Sequence, residues 1–249
     1  MNCRATLVAL TVAAAAALLA CSACTNSPGV PRADSQVVPP SEVVDFKLLY
    51  TQNCAGCHGV EGKGGAAIAL ANPVFLAIAD DVVIRRIAAN GVPGTPMPAF
   101  AQSAGGMLTD KQLDAIVQGI RSWAKPEALG NATPPPYAAQ SAGDSQRGGD
   151  AYRTYCSSCH GADGRGGSKA SSITDSSYLA LVSDQQLRTI VIAGRPELSA
   201  PDWRGDVEGR PMSDQEITDV VAWLSKRRPK FPGQPYPIAS ANPPNGGSQ

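Results

Sequence analysis

Apolar side chains fall along this chain in two ways. Near the start they run almost without a break from Ala5 to Ala20, behind one positive residue, Arg4. Further on they recur every three or four residues, the period of a helix with one buried face. The clearest stripes are Leu113, Ile116, Val117 and Ile120, and then Ile217, Val220, Val221 and Leu224. Each follows a capping-box pattern, Thr109-x-x-Gln112 or Ser213-x-x-Glu216. Two further helices are predicted over 81–90 and 184–193, stopped by Gly91 and Gly194. A third pair, over 43–53 and 150–155, leads into closely spaced cysteines. No stretch alternates apolar and polar as a half-buried strand does, so the expected class is all-α.

The helical pattern occurs twice. Tyr50, Gly59, Gly62, Gly64 and Gly65 match Tyr152, Gly161, Gly164, Gly166 and Gly167 at a constant offset of 102. Ile84, Arg85, Ile87, Gly91, Pro93, Pro98 and Phe100 match Leu187, Arg188, Ile190, Gly194, Pro196, Pro201 and Trp203 at an offset of 103. The last stripes match at 104. Two single-residue slips over about 80 positions indicate duplication of one fold. The expected organisation is a leader over 1–20, a tether over 21–41 and a helical domain over 42–127. A Pro-rich linker over 128–146, a second helical domain over 147–230 and a disordered tail over 231–249 complete it.

The leader has the short apolar core of a secretory signal, although a retained membrane anchor is the alternative. Its end, Leu18-Leu19-Ala20-Cys21, resembles the lipobox of bacterial lipoproteins. That resemblance implies cleavage before Cys21 and lipidation of Cys21, with Cys24 the weaker candidate. The chain is then expected to be exported, in the periplasm or on the outer face of the inner membrane, and held to the membrane through a lipid anchor. The whole chain has 249 residues with 21 basic and 21 acidic side chains, a balance that gives no case for nucleic acid as a partner.

Four of the seven cysteines stand in Cys54-Ala55-Gly56-Cys57-His58 and Cys156-Ser157-Ser158-Cys159-His160, which also hold the only two histidines. C-x-x-C-H is the attachment signature of c-type haem. Residues three apart share a helix face, so two sulfurs can reach the two vinyl groups of one porphyrin, and the adjacent imidazole can turn onto the iron. A four-thiol zinc site and a redox dithiol are the alternatives. Zinc would tie together two modules that each look complete, and a thioredoxin-like dithiol expects a βαβ pattern that is missing.

With these motifs and their downstream context, the chain resembles the class I cytochrome c family over about 42–127 and 147–230. The resemblance implies two tandem cytochrome c-like helical domains, each wrapped round a covalently bound haem c. It implies thioether bonds from Cys54, Cys57, Cys156 and Cys159, and proximal iron ligands His58 and His160. The family's usual second axial ligand is a Met in a Gly-x-x-Met-Pro loop, and Gly94-Thr95-Pro96-Met97-Pro98 fits it. The second domain departs from the family, because Ala200 stands where Met97 should match. Met212, its only methionine, aligns with Leu108 just before a helix cap, where a hydrophobic staple belongs. The alternative is that Met212 moves inward as a substitute ligand.

The family implies an electron carrier and no enzyme. Its partners would be membrane redox complexes, a quinol-oxidising complex or a terminal oxidase, or else a periplasmic dehydrogenase. The rival reading is a peroxidase-like dihaem enzyme using the second iron, with Arg195, Glu197, Asp202 and Arg204 flanking the Ala200 loop. The lipobox reading has its own test. Cys21→Ser should release a soluble protein or leave the leader uncleaved, read by membrane fractionation and mass spectrometry. A Cys21→Ser protein that still carries acyl chains would place the lipid elsewhere.

Overall fold

The computed structural model describes residues 37–205, 207 and 209–230. Cys21, Cys24, the apolar leader and the 231–249 tail lie outside the described residues. The fold is all-α, as expected, and the described residues contain no strand, only the isolated bridges Ala101 to Leu108 and Arg195 to Ala200. No helix among them is long and apolar enough to cross a membrane.

The first copy contributes α1 (Phe46–Asn53), α2 (Ala55–His58), α3 (Pro73–Ile78), α4 (Asp81–Asn90) and α5 (Asp110–Arg121). The second contributes α6 (Ser145–Tyr155), α7 (Ser157–His160), α8 (Ser176–Leu181), α9 (Asp184–Ala193) and α10 (Asp214–Ser225). Both capping boxes form as the sequence predicts, at Thr109 with Gln112 and at Ser213 with Glu216. Helix α4 stops at Gly91 and α9 at Gly194, with φ of 67° and 68°. A Cβ on either glycine would come within 2.6 Å of the backbone that follows, at Pro98 or Pro201.

Four features differ from the sequence reading. Helix α1 begins at Phe46, not at 43, because Asp45 caps it through the amide of Leu48. Helix α6 begins at Ser145, not at 150, because Asp144 caps it through the amides of Gln146 and Arg147. Gly148 and Gly149, poor helix formers, concealed that first turn. The short helices α3 and α8 were also not anticipated; Asn72 and Asp175 cap them. Finally, the Pro-rich linker is strapped to the second copy. The nearly fully buried Arg188 donates to the carbonyls of Pro136 (2.8 Å) and Tyr137 (3.0 Å) and to Thr218 Oγ1 (2.9 Å), and it pairs with Asp214. Its partners lie 26 to 52 residues away in sequence, so the composition of the linker could not reveal them.

Each copy is built on a crossing of its first and last long helices. In the first, Leu49 and Tyr50 of α1 are buried with Leu113, Ile116, Val117 and Ile120 of α5. In the second, Ala151 and Tyr152 of α6 are buried with Ile217, Val220, Val221 and Leu224 of α10. The crossings are filled in opposite senses. In the first, Phe46 on α1 sits over Gly119 on α5, so close that a Cβ on Gly119 would overlap the ring. In the second, the matching positions carry Gly148 on α6 and Trp223 on α10. A Cβ on Gly148 would overlap the Asp219 carbonyl and come within 2.8 Å of Trp223 Cβ. The large and small residues have exchanged helices, and the volume at the crossing is kept. Tyr50 meets Trp123 edge-on at 5.0 Å, whereas Tyr152 stacks on Trp223 at 4.2 Å.

Adjacent glycines on α6 should therefore respond differently to the same methyl group. Gly148→Ala should cost about 2 kcal/mol through overpacking, lowering the melting temperature by about 5 °C for a chain of this size. Gly149→Ala meets only the edge of the Trp223 indole, at 3.2 Å. It should be neutral or stabilise by up to about 1 kcal/mol through helix propensity. Thermal unfolding of the two variants reads the difference, and equal effects would contradict this packing.

Candidate functional site

The two C-x-x-C-H segments have the same geometry. Helix α1 breaks at Cys54 (φ −119°) and α6 at Cys156 (φ −120°), and a single new turn begins at each. Within it Cys57 N and His58 N return to Cys54 O at 3.2 and 3.0 Å, and Cys159 N and His160 N return to Cys156 O at 3.2 and 3.0 Å. The chain then doubles back, since Gly64 N donates to His58 O at 2.9 Å and Gly166 N to His160 O at 2.8 Å. A tyrosine from the preceding helix closes each turn, Tyr50 Oη donating to Gly59 O at 2.9 Å and Tyr152 Oη to Gly161 O.

Each imidazole is held by one backbone carbonyl. His58 Nδ1 lies 2.8 Å from Ile68 O, and His160 Nδ1 lies 2.8 Å from Ser171 O. A carbonyl only accepts, so Nδ1 carries the proton and Nε2 keeps the lone pair available to a metal. Burial also holds His58 below the usual imidazole value, which favours the neutral ring. All four cysteines are free thiols. Burial, and then the neighbouring thiol, pushes Cys54 and Cys156 up to about 11. A redox-active dithiol needs the opposite shift. Among the described residues no three His, Cys, Asp or Glu side chains cluster as metal ligands, so the two Cys pairs do not meet in a four-thiol zinc site. Paired free thiols beside an imidazole whose Nε2 keeps its lone pair fit covalent haem.

The loops expected to carry the second axial ligand share a frame. Val92 N donates to Met97 O at 3.0 Å, and Arg195 N donates to Ala200 O at 2.9 Å. Met97 is half-buried. Met212 is a core residue, 6% exposed like Leu108. Met212 N donates to Trp203 O at 2.8 Å, as Leu108 N donates to Phe100 O at 2.8 Å. Met212 thus takes Leu108's place, as the alignment predicted.

The copies also touch at these loops, which the sequence did not show. Arg195 donates to Gly65 O at 2.6 Å and pairs with Glu197, whose carboxylate lies against Gly64. Asn72 is 5% exposed. Its Oδ1 accepts from Val74 N (2.8 Å) and Phe75 N (3.1 Å), and its Nδ2 donates to Ala193 O at 2.9 Å. Asn72-Pro73 is a recognisable helix start, but its second partner lies 121 residues away.

The family model described as cytochrome c oxidase, cbb3-type, subunit III, matches twice, over residues 42–118 and 143–224. The chain belongs to this cytochrome c family. Covalently bound haem c follows from membership, and the residues present fit it. This cytochrome is also similar to the cytochrome bc1 complex cytochrome c subunit of Mycobacterium bovis (strain ATCC BAA-935 / AF2122/97). The identity is 25% over 180 residues, covering 72% of this chain and 61% of the relative. The subunit of the same description from Mycobacterium leprae (strain TN) is 26% identical, with 72% and 59% covered. The chain thus spans only about 60% of the length of these relatives. A chain of the Kuenenia stuttgartiensis reducing HAO-like protein complex aligns at 20% identity over 78% of this chain and all of that one. Its TM-score of 0.41 is too low to bear on fold or function.

Asn72 makes the join between copies testable in the intact cytochrome. Asn72→Asp keeps the oxygen that caps α3 but sets a carboxylate against the Ala193 carbonyl. It should cost about 2 kcal/mol, the penalty of a buried acceptor left without its donor. Denaturant unfolding reads the loss, and unchanged stability would show that the Asn72–Ala193 bond contributes nothing.

Proposed function

We propose that this cytochrome holds two haem c groups and carries electrons in a respiratory chain, exchanging them with a quinol-oxidising membrane complex. Cys54 and Cys57 bind the first group, and Cys156 and Cys159 the second, through thioether bonds. His58 and His160 would hold the irons through Nε2, and Met97 would supply a thioether to the first iron. The observation that carries this reading is the twice-repeated imidazole held by a carbonyl at 2.8 Å beside two free thiols.

When bound, haem c supplies one-electron chemistry at its iron. The chain supplies binding, orientation and tuning. Ile68 O and Ser171 O fix each ring's tautomer and direction. Tyr50 and Tyr152 hold the turn that carries each histidine. A thioether from Met97 raises the potential of the first site. The respiratory partner is supported by the similarity to bc1-complex subunits. A terminal oxidase and a periplasmic dehydrogenase remain further candidates for exchange. Lipid attachment at Cys21, with the protein on the outer face of the inner membrane or in the periplasm, is part of the same proposal and rests on the Leu18–Cys21 pattern. Arg195 pairs with Glu197 and Arg204 with Asp202. Charges already committed to one another favour the carrier over an enzyme that needs a free acid or base.

Two measurements test the proposal. Pyridine haemochrome analysis after acid–acetone extraction should find about two haems per polypeptide, and one in a Cys156→Ala, Cys159→Ala variant. A wild-type count of one would sink the dihaem reading. Membranes of the source cell supplied with quinol should reduce the purified protein, and no reduction would remove the quinol-oxidising partner.

A further inference from the structure

The two copies share the glycine stop and the closing hydrogen bond of the axial-ligand loop but not its side chain. The segment from Ile84 to Phe100 aligns on Leu187 to Trp203 without a gap, so Met97 falls on Ala200. The structure keeps that register independently. The Val92 to Met97 and Arg195 to Ala200 hydrogen bonds are equivalent. Gly91 and Gly194 also press on equivalent backbone, with a Cβ coming 2.6 Å from the carbon of Pro98 and 2.7 Å from that of Pro201.

Among the described residues, Met212 does not take over. Met212 is committed to Leu108's place in the core, with the Trp203 carbonyl holding its amide. The Ala200 loop is also pinned on several sides. Ala200 N donates back to Arg195 O at 3.0 Å, closing a two-way bridge. Ser199 is held in the left-handed region at φ 62°, a cost that only a well-determined loop maintains. Arg195 ties the loop to Gly65 of the first copy. Moving Met212 inward would break its amide bond to Trp203 O and take its side chain out of the core. Both charged pairs flanking Ala200 are internally neutral, Arg195 with Glu197 and Arg204 with Asp202.

We infer that the second site has no protein side chain as its sixth iron ligand and binds a small uncharged diatomic molecule, of the carbon monoxide or nitric oxide type, beside Ala200. This rests on the haem occupancy proposed above. Alanine lacks the Cγ, Sδ and Cε atoms of methionine, and the three heavy atoms removed leave room of the order of a diatomic ligand. The charges that flank Ala200 are paired, Arg195 with Glu197 and Arg204 with Asp202, which favours an uncharged ligand over an anion. Binding is reversible donation of the ligand's lone pair to the metal, and no group is transferred.

The test is carbon monoxide titration of the reduced full-length holoprotein, with haems counted on the same sample. The expected stoichiometry is about one carbon monoxide for every two haems, from one open axial position. Ala200→Met should bring it close to zero and add a thioether–iron signature to the oxidised spectrum. Met97→Ala, which leaves the second copy untouched, should raise it to one per haem. Met212→Leu should leave it at the wild-type value. Two haems with no carbon monoxide bound would overturn the inference, as would binding that Ala200→Met does not change. Carbon monoxide binding that appears only in Met212→Leu would identify Met212 as the ligand, and also overturn it. A wild-type count of one haem would instead fail the occupancy reading, and this inference with it.

Discussion

A neutral imidazole can offer Nε2 to a metal only as the tautomer that carries its proton on Nδ1, and here one backbone carbonyl in each copy enforces that choice. Much of the local structure follows from bringing Ile68 O or Ser171 O to the ring. The chain must reverse directly after the histidine and return ten or eleven residues later. The tyrosine of the preceding helix then has a carbonyl to close on, and the cysteines are left on one short turn in front of the reversal. The helices are arranged around this reversal: one long helix leads into it and the last one backs it.

What could be read from the sequence was whatever repeats at short range. Helix caps, glycine stops, apolar stripes and the C-x-x-C-H motifs each occupy a few consecutive residues, and all were found where their local chemistry placed them. Errors arose where a residue's partner is distant or its propensity misleads. Gly148 and Gly149 concealed a helical turn that tertiary packing stabilises. The linker looked like a free spacer until Arg188 and its carbonyl partners came together. Asn72 caps a short helix that the sequence reading did not anticipate, and its bridge to Ala193 spans 121 residues. The methionines were separable because duplication supplies an internal reference: Leu108 told what Met212 does, and Met97 told what Ala200 lacks.

Duplication also explains why the copies could diverge in sequence at this loop without losing the fold. The loop around Ala200 is held by backbone bonds and by its neighbours, so its side chain could change without moving the frame. The same loop reaches the first copy through Arg195 and Glu197, so the segment in which Ala200 stands for Met97 also lies where the two copies touch.

The exchanged residues at the two helix crossings bear on how such a tandem gene ages. Duplicated segments tend to be homogenised by recombination between their like halves. A crossover here that joined the leading helix of the first copy to the closing helix of the second would set Phe46 against Trp223, with no room for both rings. The reciprocal product would set Gly148 against Gly119 and leave a hole. Either hybrid fails to pack, so the steric fit of each pair keeps the halves from being averaged and lets their two sites stay different.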